Sequence, residues 1–475
     1  MKKIILSFLI FSVVGVSAQT IIKDPLFNAN GTGTSGSSVF DTEIQPDGKI
    51  LVGGGFITYN GVTVNGIVRL NTDGSIDDTF DTGVGALGGV VRSIKVQPDG
   101  KILIGGNFGN FNYNYHKGIV RLNSDGSFDD TFSVNFIEPQ SYPPDVLDIE
   151  IAEDGNIYLA GDFIAGLNDL GARCVCRINA EGDFDSSFLP SFGEYDTVYS
   201  LTLAPDGDVY ASGFFFYGVK AGLVKLNSDG TKDNAFTAGY TAYGTIEQTC
   251  ILPDGGVLIG GLFKEDFSSN IFYTLGKLNS DGTFNAEFNV VQAPALNTNT
   301  NVVHDICLHN GNAIIAGNGL SYISESESDE LFMIDMQGNV LPEFNTGNGF
   351  GFTNGNPSSV FSVTVQSDAK LLVGGRFNNY NSTSVSGLTR LLGLVLSTPS
   401  QVKESGLNVY YANGTNIQSV DQDIVAVEVY DITGKLVGSH IASGSVVRFD
   451  QNKSGIGFAK VLLANGQYYT LKIAL

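Results

Sequence analysis

A thirteen-residue stretch that occurs twice constrains the fold of this chain more than any other feature. Residues 96–108 read VQPDGKILIGGNF, and residues 44–56 read IQPDGKILVGGGF. The glycine of the PDG turn and the second glycine of the following GG recur together, always six residues apart. These pairs are Gly48/Gly54, Gly100/Gly106, Gly155/Gly161, Gly207/Gly213, Gly255/Gly261, Gly311/Gly317 and, with alanine in the first position, Ala369/Gly375. The distance between copies varies from 48 to 58 residues, which indicates a repeat architecture with insertions outside a constant hairpin.

Each copy predicts a short antiparallel β-unit. The alternation in VVRSIKV (90–96) predicts a strand, Pro-Asp-Gly predicts a tight turn, and ILIGGNF predicts the returning strand. GIVRLNSDG (118–126) predicts a third strand and SFDDTF (127–132) a fourth. Four short strands in about fifty residues are typical of a propeller blade, since a solenoid coil needs only about 20 to 30 residues. We therefore predict an all-β fold, with a seven-bladed β-propeller over residues 19–392.

The two ends of the repeat region complement each other. The last copy ends with GLTRLLG (387–393) and lacks the DxxF strand that earlier copies carry. DPLFNANGTG (24–33) is a lone DxxF segment with no hairpin before it, and it is similar to DDTFDTGVG (77–85). Because an open sheet edge invites pairing with other chains, we expect the N-terminal strand to complete the last blade and close the ring.

The termini predict export and a second domain. Residues 1–18, MKKIILSFLIFSVVGVSA, combine two lysines, an apolar run and small residues before Gln19, which predicts a signal peptide. The apolar run is short for a membrane span of about 20 residues, and no later segment is long enough. STPSQVKES predicts a linker over residues 393–405. The alternation of VAVEVYDITGKLV (425–437) predicts a small C-terminal β-sandwich over residues 406–475.

Charge and cysteine content restrict the partners. The net charge is −23, and loss of Lys2 and Lys3 with the leader would lower it further. An acidic surface repels phosphate groups, so we exclude nucleic acid and anionic membrane as partners, and we expect a monomer. Cys174 and Cys176 share one face of a strand, a poor geometry for bonding each other. We interpret these two, with Cys250 and Cys307, as small buried residues, although export leaves disulfides open.

A repeat protein offers a filter for functional residues, because positions shared by every copy serve the common scaffold. The basic residue before each LN therefore predicts a salt-bridged corner, and the DxxF residues Asp77, Asp129 and Asp185 are interpreted likewise. These basic residues are Arg69, Arg121, Arg177, Lys225, Lys277 and Arg390. NSDGSFDD supplies oxygens as a calcium loop does, but it lacks the bidentate glutamate and fits an Asx turn. We predict no metal and no cofactor.

No catalytic residue can be assigned from motifs. The four histidines are His116, His304, His309 and His440, and the sequence contains no G-x-S-x-G elbow, H-E-x-x-H pair or phosphate-binding loop. His304 and Asp305 begin the inner strand of the sixth copy, where they could face the channel or form a structural pair. Enzymatic activity stays open, because propeller sites assemble from distant blades.

Two aromatic stretches break the repeat. FGNFNYNYHKG (108–118) and GFFFYG (213–218) place aromatic rings among amides and glycines, groups that suit stacking on sugars and bonding to their hydroxyls. The candidate ligand-binding residues are Phe111, Tyr113, Tyr115, His116, Phe215 and Tyr217. The alternative is that these rings fill the space between blades.

Two family resemblances extend this interpretation. QPDGKILVGG, RLNSDGSFDDTF and the trailing GxG resemble the delta-60 repeat of bacterial secreted proteins over about residues 39–392, and the sixth copy departs most. That family implies a propeller-like array on exported proteins. The C-terminal domain is similar to the type A sorting domain of the type IX (Por) secretion system of Bacteroidota. The matching residues are Val429, Tyr430, Asp431, Gly434, Lys435, Gly455 and Lys472, whereas Phe458 replaces the usual tyrosine and the YPNP opening is missing.

The resemblances imply passage through the periplasm, the type IX machinery as a partner, and a secreted or outer-surface location. We predict a non-enzymatic binding module for a glycan or protein ligand. The alternative is a propeller lyase or hydrolase acting on an extracellular polysaccharide.

Overall fold

The computed structural model describes two compact units, Met1–Gly393 and Leu394–Leu475. The described residues are 21–29, 31–35, 38–137, 144–167, 170–217, 220–237, 245–264, 272–289, 291–292, 302–320, 329–353, 357–392, 407–411, 415–419, 423–431, 436–449, 456–464 and 468–474. All regular structure within these ranges is β-structure. The predicted signal peptide and linker lie outside the described residues. No helix in the described ranges is long and apolar enough to cross a membrane.

In the first unit, each repeat forms an antiparallel sheet of an inner, a middle and an outer strand, in chain order. The strands are Val39–Ile44, Ile50–Gly54 and Ile67–Leu70 in repeat one; Val90–Val96, Ile102–Asn107 and Ile119–Leu122 in repeat two; Asp145–Ile151, Ile157–Leu167 and Leu170–Ile178 in repeat three; Thr197–Leu203, Val209–Tyr217 and Lys220–Leu226 in repeat four; Ile246–Ile251, Val257–Phe263 and Tyr273–Leu278 in repeat five; Val302–His309, Asn312–Leu320 and Asp329–Asp335 in repeat six; and Ser359–Val365, Leu371–Arg376 and Leu388–Leu391 in repeat seven. Two-residue strands at Thr58–Tyr59, Val62–Thr63, Val291–Gln292, Phe350–Gly351, Asn379–Tyr380 and Thr383–Ser384 lie between them.

The inner strands are arranged in a ring. Each contacts the inner strand of the next repeat, and the last, Ser359–Val365, contacts the first, Val39–Ile44. Sheets that meet along their inner strands around one axis surround a central channel. The first unit is therefore a β-propeller.

The N-terminal segment pairs with the last repeat, which confirms the predicted closure. Lys23 forms an antiparallel bridge with Leu391. On either side of this bridge, the Asp24 N–H donates to the Arg390 carbonyl at 2.7 Å and the Leu392 N–H donates to the Ile22 carbonyl at 2.9 Å. The side chains add a buried ion pair between Asp24 Oδ2 and Arg390 Nη2 at 2.8 Å.

The predicted fourth strand is much shorter in the structure. In repeat two it consists of one bridging residue, Phe128, opposite Leu122. The Asp129 carboxylate then accepts hydrogen bonds from the Thr131 N–H at 3.1 Å and the Thr131 hydroxyl at 2.6 Å. This local turn competes with strand pairing and ends the strand. The equivalent bridges are Leu70–Ile76, Ile178–Phe184, Leu226–Lys232, Leu278–Phe284 and Ile334–Val340.

The GG pair of repeats one, two, five and seven follows from close packing. In repeat two, a Cβ on Gly105 would lie 2.8 Å from Val146 Cγ1 of the next repeat. A Cβ on Gly106 would lie 2.1 Å from the Val90 carbonyl oxygen of its own inner strand. The first glycine therefore allows adjacent sheets to approach, and the second allows the inner strand to bulge.

The second unit contains two antiparallel sheets. One comprises Leu407–Tyr411, Thr415–Ser419 and Val446–Phe449, and the other Leu436–Gly444, Ile424–Asp431, Ile456–Leu463 and Tyr468–Ala474. Ile417 and Val447 of the first sheet share one buried cluster with Val427 and Val461 of the second. The two sheets form the small β-sandwich predicted from the sequence.

Candidate functional site

The two rims of the propeller differ in what connects the strands. Inner and middle strands are antiparallel, with Val91 opposite Gly106, so the first residues of the inner strand lie beside the last residues of the middle strand. Connections from middle to outer strands and from one repeat to the next leave at this rim. They vary in length, and we call it the variable rim. The PDG and NSDG turns lie at the opposite rim, which we call the regular rim.

The regular rim carries the salt-bridged corners that the repeat predicts. Arg121 Nε donates to Asp129 Oδ2 at 2.6 Å, and Arg121 Nη1 donates to the Ala180 carbonyl of the next repeat. Burial alone would raise the pKa of Asp129, but hydrogen bonds from Lys101, Thr131 and Arg121 hold it well below its usual range. The equivalent ion pairs are Arg69–Asp77, Arg177–Asp185, Lys225–Asp233 and Arg390–Asp24. In repeat five the DxxF aspartate is replaced by Asn285, and Lys277 pairs instead with Asp254 of the PDG turn. These corners hold adjacent sheets together.

The variable rim carries a ring of unlike side chains. Every inner strand has a β-bulge directly after its first buried valine or isoleucine, for example between Val91 and Ser93. The bulged residues are Phe40, Arg92, Leu147, Tyr199, Glu247, His304 and Phe361, one from each repeat. All of them are partly exposed. We call this set the mouth ring, because it lies where the inner strands begin.

Most of the mouth ring is one connected group of contacts. Arg92 Cζ lies 4.5 Å from the Phe40 ring centroid, and the Phe40 and Phe361 centroids are 5.2 Å apart. The His304 ring lies 4.8 Å from Phe361, and His304 Nδ1 lies 2.7 Å from Glu247 Oε2. The ring thus joins aromatic faces, one cation and a carboxylate–imidazole pair.

Two further ionisable groups belong to this ring or lie next to it. Burial raises the pKa of Tyr199, and the Glu247 carboxylate adds to the rise. Burial also raises the pKa of Asp145, the first residue of an inner strand, against the opposing effect of Arg92. Arg92 Nε and Asp145 Oδ1 are 3.9 Å apart. Convergent histidine, arginine, tyrosine and carboxylate groups from different repeats are what both ligand binding and catalysis require.

Three polar atoms at this rim are buried without a hydrogen-bond partner among the residues that the structure describes. They are Arg92 Nε, Asp145 Oδ1 and His304 Nε2. Buried polar atoms are almost always paired, and an unpaired one needs an explanation such as a ligand or a reactive role. Two of these atoms belong to the mouth ring and the third lies 3.9 Å from Arg92 Nε, which makes this rim the candidate site.

Below the mouth ring, a second ring links the inner strands. It consists of Asp41, Ser93, Asp148, Ser200, Gln248, Asp305 and Ser362, and we call it the clasp ring. Its three aspartates each accept a hydrogen bond from an inner-strand N–H of the next repeat: Asp41 from Ile94 at 2.7 Å, Asp148 from Leu201 at 2.8 Å and Asp305 from Val363 at 2.8 Å. These N–H groups lie on open strand edges, which the carboxylates satisfy. Burial raises the pKa of Asp305 to about 6.

Two residues further along each strand, on the same face, lies a third ring. This lower ring consists of Glu43, Lys95, Glu150, Thr202, Cys250, Cys307 and Thr364. Lys95 Nζ lies 3.0 Å from Glu150 Oε1. Burial raises the pKa of Glu43 and of Glu150 to about 7. The ionisable groups of this ring, apart from its thiols, therefore belong to repeats one to three.

The sequence-predicted binding residues separate into buried and exposed groups. Phe111 and Phe215 are buried in the cores between sheets. Phe111 takes the repeat position of Tyr59 and Tyr380, which are also buried. Both phenylalanines therefore fill interior space, which is the alternative that the sequence left open. In contrast, Tyr113 and Tyr115 are 74% and 70% exposed on the variable rim.

The remaining predicted positions have separate environments. The His116 ring packs 4.4 Å from Phe128, and burial lowers the pKa of His116. Tyr217 ends a middle strand, and its side chain lies outside the described residues. Phe214, two residues after Ser212, is 45% exposed at the same rim and was not a candidate.

The sorting-motif residues are only partly described. Val429 is buried, and the hydroxyl of its neighbour Tyr430 donates to Glu428 at 2.7 Å. The backbones of Asp431 and Lys472 lie in strands. Gly434, Lys435 and Gly455 lie outside the described residues.

The mouth ring was not predicted as a set. His304 was considered with its neighbour Asp305, yet its partner is Glu247, 57 residues away. Adjacent residues of a strand point in different directions, so their closeness in sequence was a poor guide to the partner of His304. Comparing the seven equivalent inner-strand positions would have shown one that changes type from repeat to repeat.

Among the described residues, the cysteines and acidic groups form no recognisable metal site. All four cysteines are free thiols. Cys174 and Cys176 are buried as expected, but the expectation is wrong for Cys250 and Cys307, which are partly exposed in the lower ring. Over the described ranges, no three His, Cys, Asp or Glu side chains are grouped so as to hold a metal ion.

Comparison with known families supports the repeat fold. Five segments match the family model described as "Domain of unknown function (DUF5122) beta-propeller", at residues 45–80, 97–132, 152–188, 204–236 and 366–393. These segments belong to repeats one to four and seven. The match agrees with the delta-60-like character of the repeats. No curated protein matches the chain significantly.

Several solved structures are similar to this chain at low sequence identity. PorZ, described as an essential bacterial surface component of the type-IX secretion system of Porphyromonas gingivalis, is 13% identical with a TM-score of 0.41 over 92% of this chain and 59% of its own. The extracellular domain of the putative hybrid two component system BT4673 from B. thetaiotaomicron is 11% identical with a TM-score of 0.45, over 96% of this chain and 59% of its own. The gluconolactonase XC5397 from Xanthomonas campestris is 13% identical with a TM-score of 0.33, over 62% and 85%. The chain spans about three fifths of the first two structures.

Proposed function

We propose that this chain is an exported protein whose propeller has seven blades and serves as a non-enzymatic binding module for an extracellular glycan or protein. The observation that carries the proposal is the change of side-chain type from repeat to repeat at the bulge position of the variable rim. A ring of side chains that only stabilised the fold could use one residue type in every repeat. The basic corner position of the regular rim comes close to this, since it is arginine or lysine in six repeats. The bulge position instead carries six residue types in seven repeats.

The experiment is a binding screen of the full chain on a glycan array and against purified cell-surface proteins, together with a polysaccharide depolymerisation assay. We expect saturable binding of one ligand class without cleavage. Cleavage of any polymer would contradict the non-enzymatic role, and the absence of saturable binding to every probe would contradict the binding role.

A second candidate function has one specific observation in its favour. Glu247 orients the imidazole of His304, which is how a carboxylate prepares a histidine for proton transfer, and Tyr199 lies near the same carboxylate. A propeller lyase or hydrolase acting on an extracellular polysaccharide would use these groups. Release of reducing ends or unsaturated products by the wild type, abolished by His304→Phe, would favour this function over simple binding.

For delivery, we propose that residues 1–18 are a signal peptide, that residues 393–405 are a linker, and that residues 406–475 are a sorting domain for a type IX-like machinery. The sorting-motif resemblance and the two-sheet sandwich of the second unit support this. The test compares the full chain with a chain ending at Leu392 in a Bacteroidota host that has this system. We expect the full chain outside the cell or on its surface and the shortened chain in the periplasm. Equal export of both would contradict the sorting role.

A further inference from the structure

We infer that the mouth ring binds a neutral saccharide ring, an inference that rests on the proposed binding function and assigns its site and ligand class. Three properties of the rim lead to this assignment: flat apolar surfaces, unpaired hydrogen-bonding atoms of both kinds, and an acidic channel beneath. Each excludes a different class of ligand.

The flat surfaces come from the aromatic members of the ring. Phe40 and Phe361 lie side by side at 5.2 Å with an interplanar angle of 43°, and both are partly exposed. Together they form a shallow apolar floor at the start of the channel. The apolar face of a sugar ring packs on such surfaces, whereas a fully hydrated ion gains nothing from them.

The buried atoms without a hydrogen-bond partner are suited to the hydroxyl groups of a ligand. Arg92 Nε is a donor and Asp145 Oδ1 an acceptor, and their separation of 3.9 Å is too long for a hydrogen bond. One hydroxyl oxygen can accept from the first and donate to the second. The side chains of Arg92 and Asp145 are 33% and 20% exposed, so small rotations of their ends bring both atoms to the opening. A ligand without hydroxyls would leave both atoms unpaired.

His304 adds a third contact. When its Nδ1 donates to the Glu247 carboxylate, Nε2 of the neutral ring is an acceptor. That atom is buried and unpaired among the described residues. A second hydroxyl of the ligand can donate to it after a small shift of the imidazole relative to the neighbouring Phe361 ring. Two hydroxyls held in different orientations fix the position of a sugar ring.

The channel beneath selects against anionic sugars. The clasp ring, which follows the mouth ring by one residue in each inner strand, contains Asp41, Asp148 and Asp305. The basic group of the lower ring, Lys95, is already paired with Glu150. A uronate or sulfate group at the mouth would face these acidic side chains with only Arg92 in the mouth ring to offset them. The ligand class is therefore neutral sugars rather than uronates.

The experiment is calorimetric titration of the full chain with neutral oligosaccharides of glucose, mannose, galactose and xylose, each about six units long, and with oligogalacturonate of the same length. We expect at least one neutral oligosaccharide to bind more tightly than oligogalacturonate. His304→Phe keeps an aromatic ring against Phe361 but removes the acceptor, and should weaken binding about tenfold, the value of one good hydrogen bond. Asp145→Ala should have an effect of similar size.

The matched control is His309→Phe. His309 ends the same inner strand at the regular rim, so this variant should bind within about twofold of the wild type. Thermal unfolding of each variant separates lost binding from lost folding.

The outcomes distinguish this inference from the proposed function. Binding that is unaffected by His304→Phe and Asp145→Ala, or tighter binding of oligogalacturonate, overturns the site or the ligand class while the binding module stands. Failure of every neutral oligosaccharide to bind also overturns the ligand class. Failure of all probes in the wider screen overturns the binding function itself.

Discussion

The regular rim and the variable rim are built from opposite ends of the same strands. Equivalent positions in different repeats carry similar residues at the regular rim and different residues at the variable rim. At the regular rim, Arg121 bonds Asp129 and reaches the Ala180 carbonyl of the next repeat, and Arg69 does the same with Asp77 and Ser124. At the variable rim, the bulge position holds apolar, basic, acidic and aromatic residues in turn. Under the proposed function, the residues that stabilise the fold and those that recognise a ligand lie at different ends of one sheet.

The strand geometry explains how this separation arises. The NSDG turns of the regular rim receive the inter-sheet hydrogen bonds, so their length and residue types are restricted. The bulged residue at the variable rim is left out of the regular pairing of its strand, so its side chain can change without loss of a ladder hydrogen bond. Substitutions at the first rim should therefore change the free energy of unfolding, and substitutions at the second should change binding.

The largest effect is expected from opening the ring. A chain whose mature part begins at Thr34 loses the bridge of Lys23 with Leu391 and the buried pair of Asp24 with Arg390. Arg390 then keeps a buried charge without its carboxylate, and we expect a loss of about 5 kcal/mol or more in the free energy of unfolding, measured in urea. Asp47→Ala, in an exposed turn of the regular rim, is the control and should cost less than about 1 kcal/mol. Unchanged unfolding of the shortened chain would show that the N-terminal segment does not close the propeller.

The next effect concerns a single corner of the regular rim. Arg121→Ala removes one partner of a buried pair and should cost about 3–5 kcal/mol. Arg121→Lys keeps the charge, as Lys225 and Lys277 do in repeats four and five, but loses the forked contact to Ala180 and should cost about 1–2 kcal/mol. Urea unfolding measures both. Equal, small losses of unfolding free energy in the two variants would show that this corner does not stabilise the fold. Altered ligand binding by either variant would show that the regular rim also affects binding.

A smaller effect is expected from pH, through the lower ring. Glu43 and Glu150 have folded-state pKa values of about 7, above their ordinary value of 4.5, because burial disfavours their charged forms. Their contribution to stability is therefore full below pH 4.5 and is lost as the pH rises through 7. Since both are partly exposed, we expect a loss on the order of 2 kcal/mol between pH 5 and 8.

The carboxylates of the regular rim respond in the opposite direction. The lowered pKa of Asp77 and Asp129 gives stability that is lost only in stronger acid, below the pH 5–8 window. Urea unfolding of wild type and Glu43→Gln at pH 5 and 8 tests the assignment, because the variant should show a flatter dependence. A stability that rises between pH 5 and 8 would contradict it.

The smallest effect concerns a turn of the variable rim. Tyr113 has φ +64°, a conformation that side chains with a Cβ rarely adopt, whereas repeat one has Gly61 at the equivalent position with φ +81°. Tyr113→Gly should raise the free energy of unfolding by about 0.5–1 kcal/mol. Tyr115→Gly is the control without this relief and should give no gain. A loss of stability in Tyr113→Gly would show that the exposed ring supports the fold.

Much of this architecture could be predicted from the repeat alone. The hairpins, the glycine pairs and the N-terminal closure follow from residue types at fixed spacing, because turns and close strand contacts restrict those types directly. The length of the fourth strand could not be predicted in this way, because the Asp129 carboxylate accepts hydrogen bonds from Thr131 and so ends the strand.

The candidate site was less predictable. The burial of Phe111 could have been inferred from its alignment with Tyr59 and Tyr380, whereas the local sequence of FNYNYH suggested an exposed cluster. The pairing of His304 with Glu247 depends on a bulge in two strands and on the order of sheets around the channel. Neither the bulges nor the order of the sheets can be read from adjacent residues, so the mouth ring could be identified only from the structure.

The most direct test of the division between the rims is hydrogen–deuterium exchange of the full chain with and without the neutral oligosaccharide that binds most tightly in the titration panel. We predict slower exchange at the starts of the inner strands, around Arg92, Asp145 and His304, and no change at the PDG turns of the opposite rim. Protection at the PDG turns, or an unchanged variable rim under saturating ligand, would contradict the account.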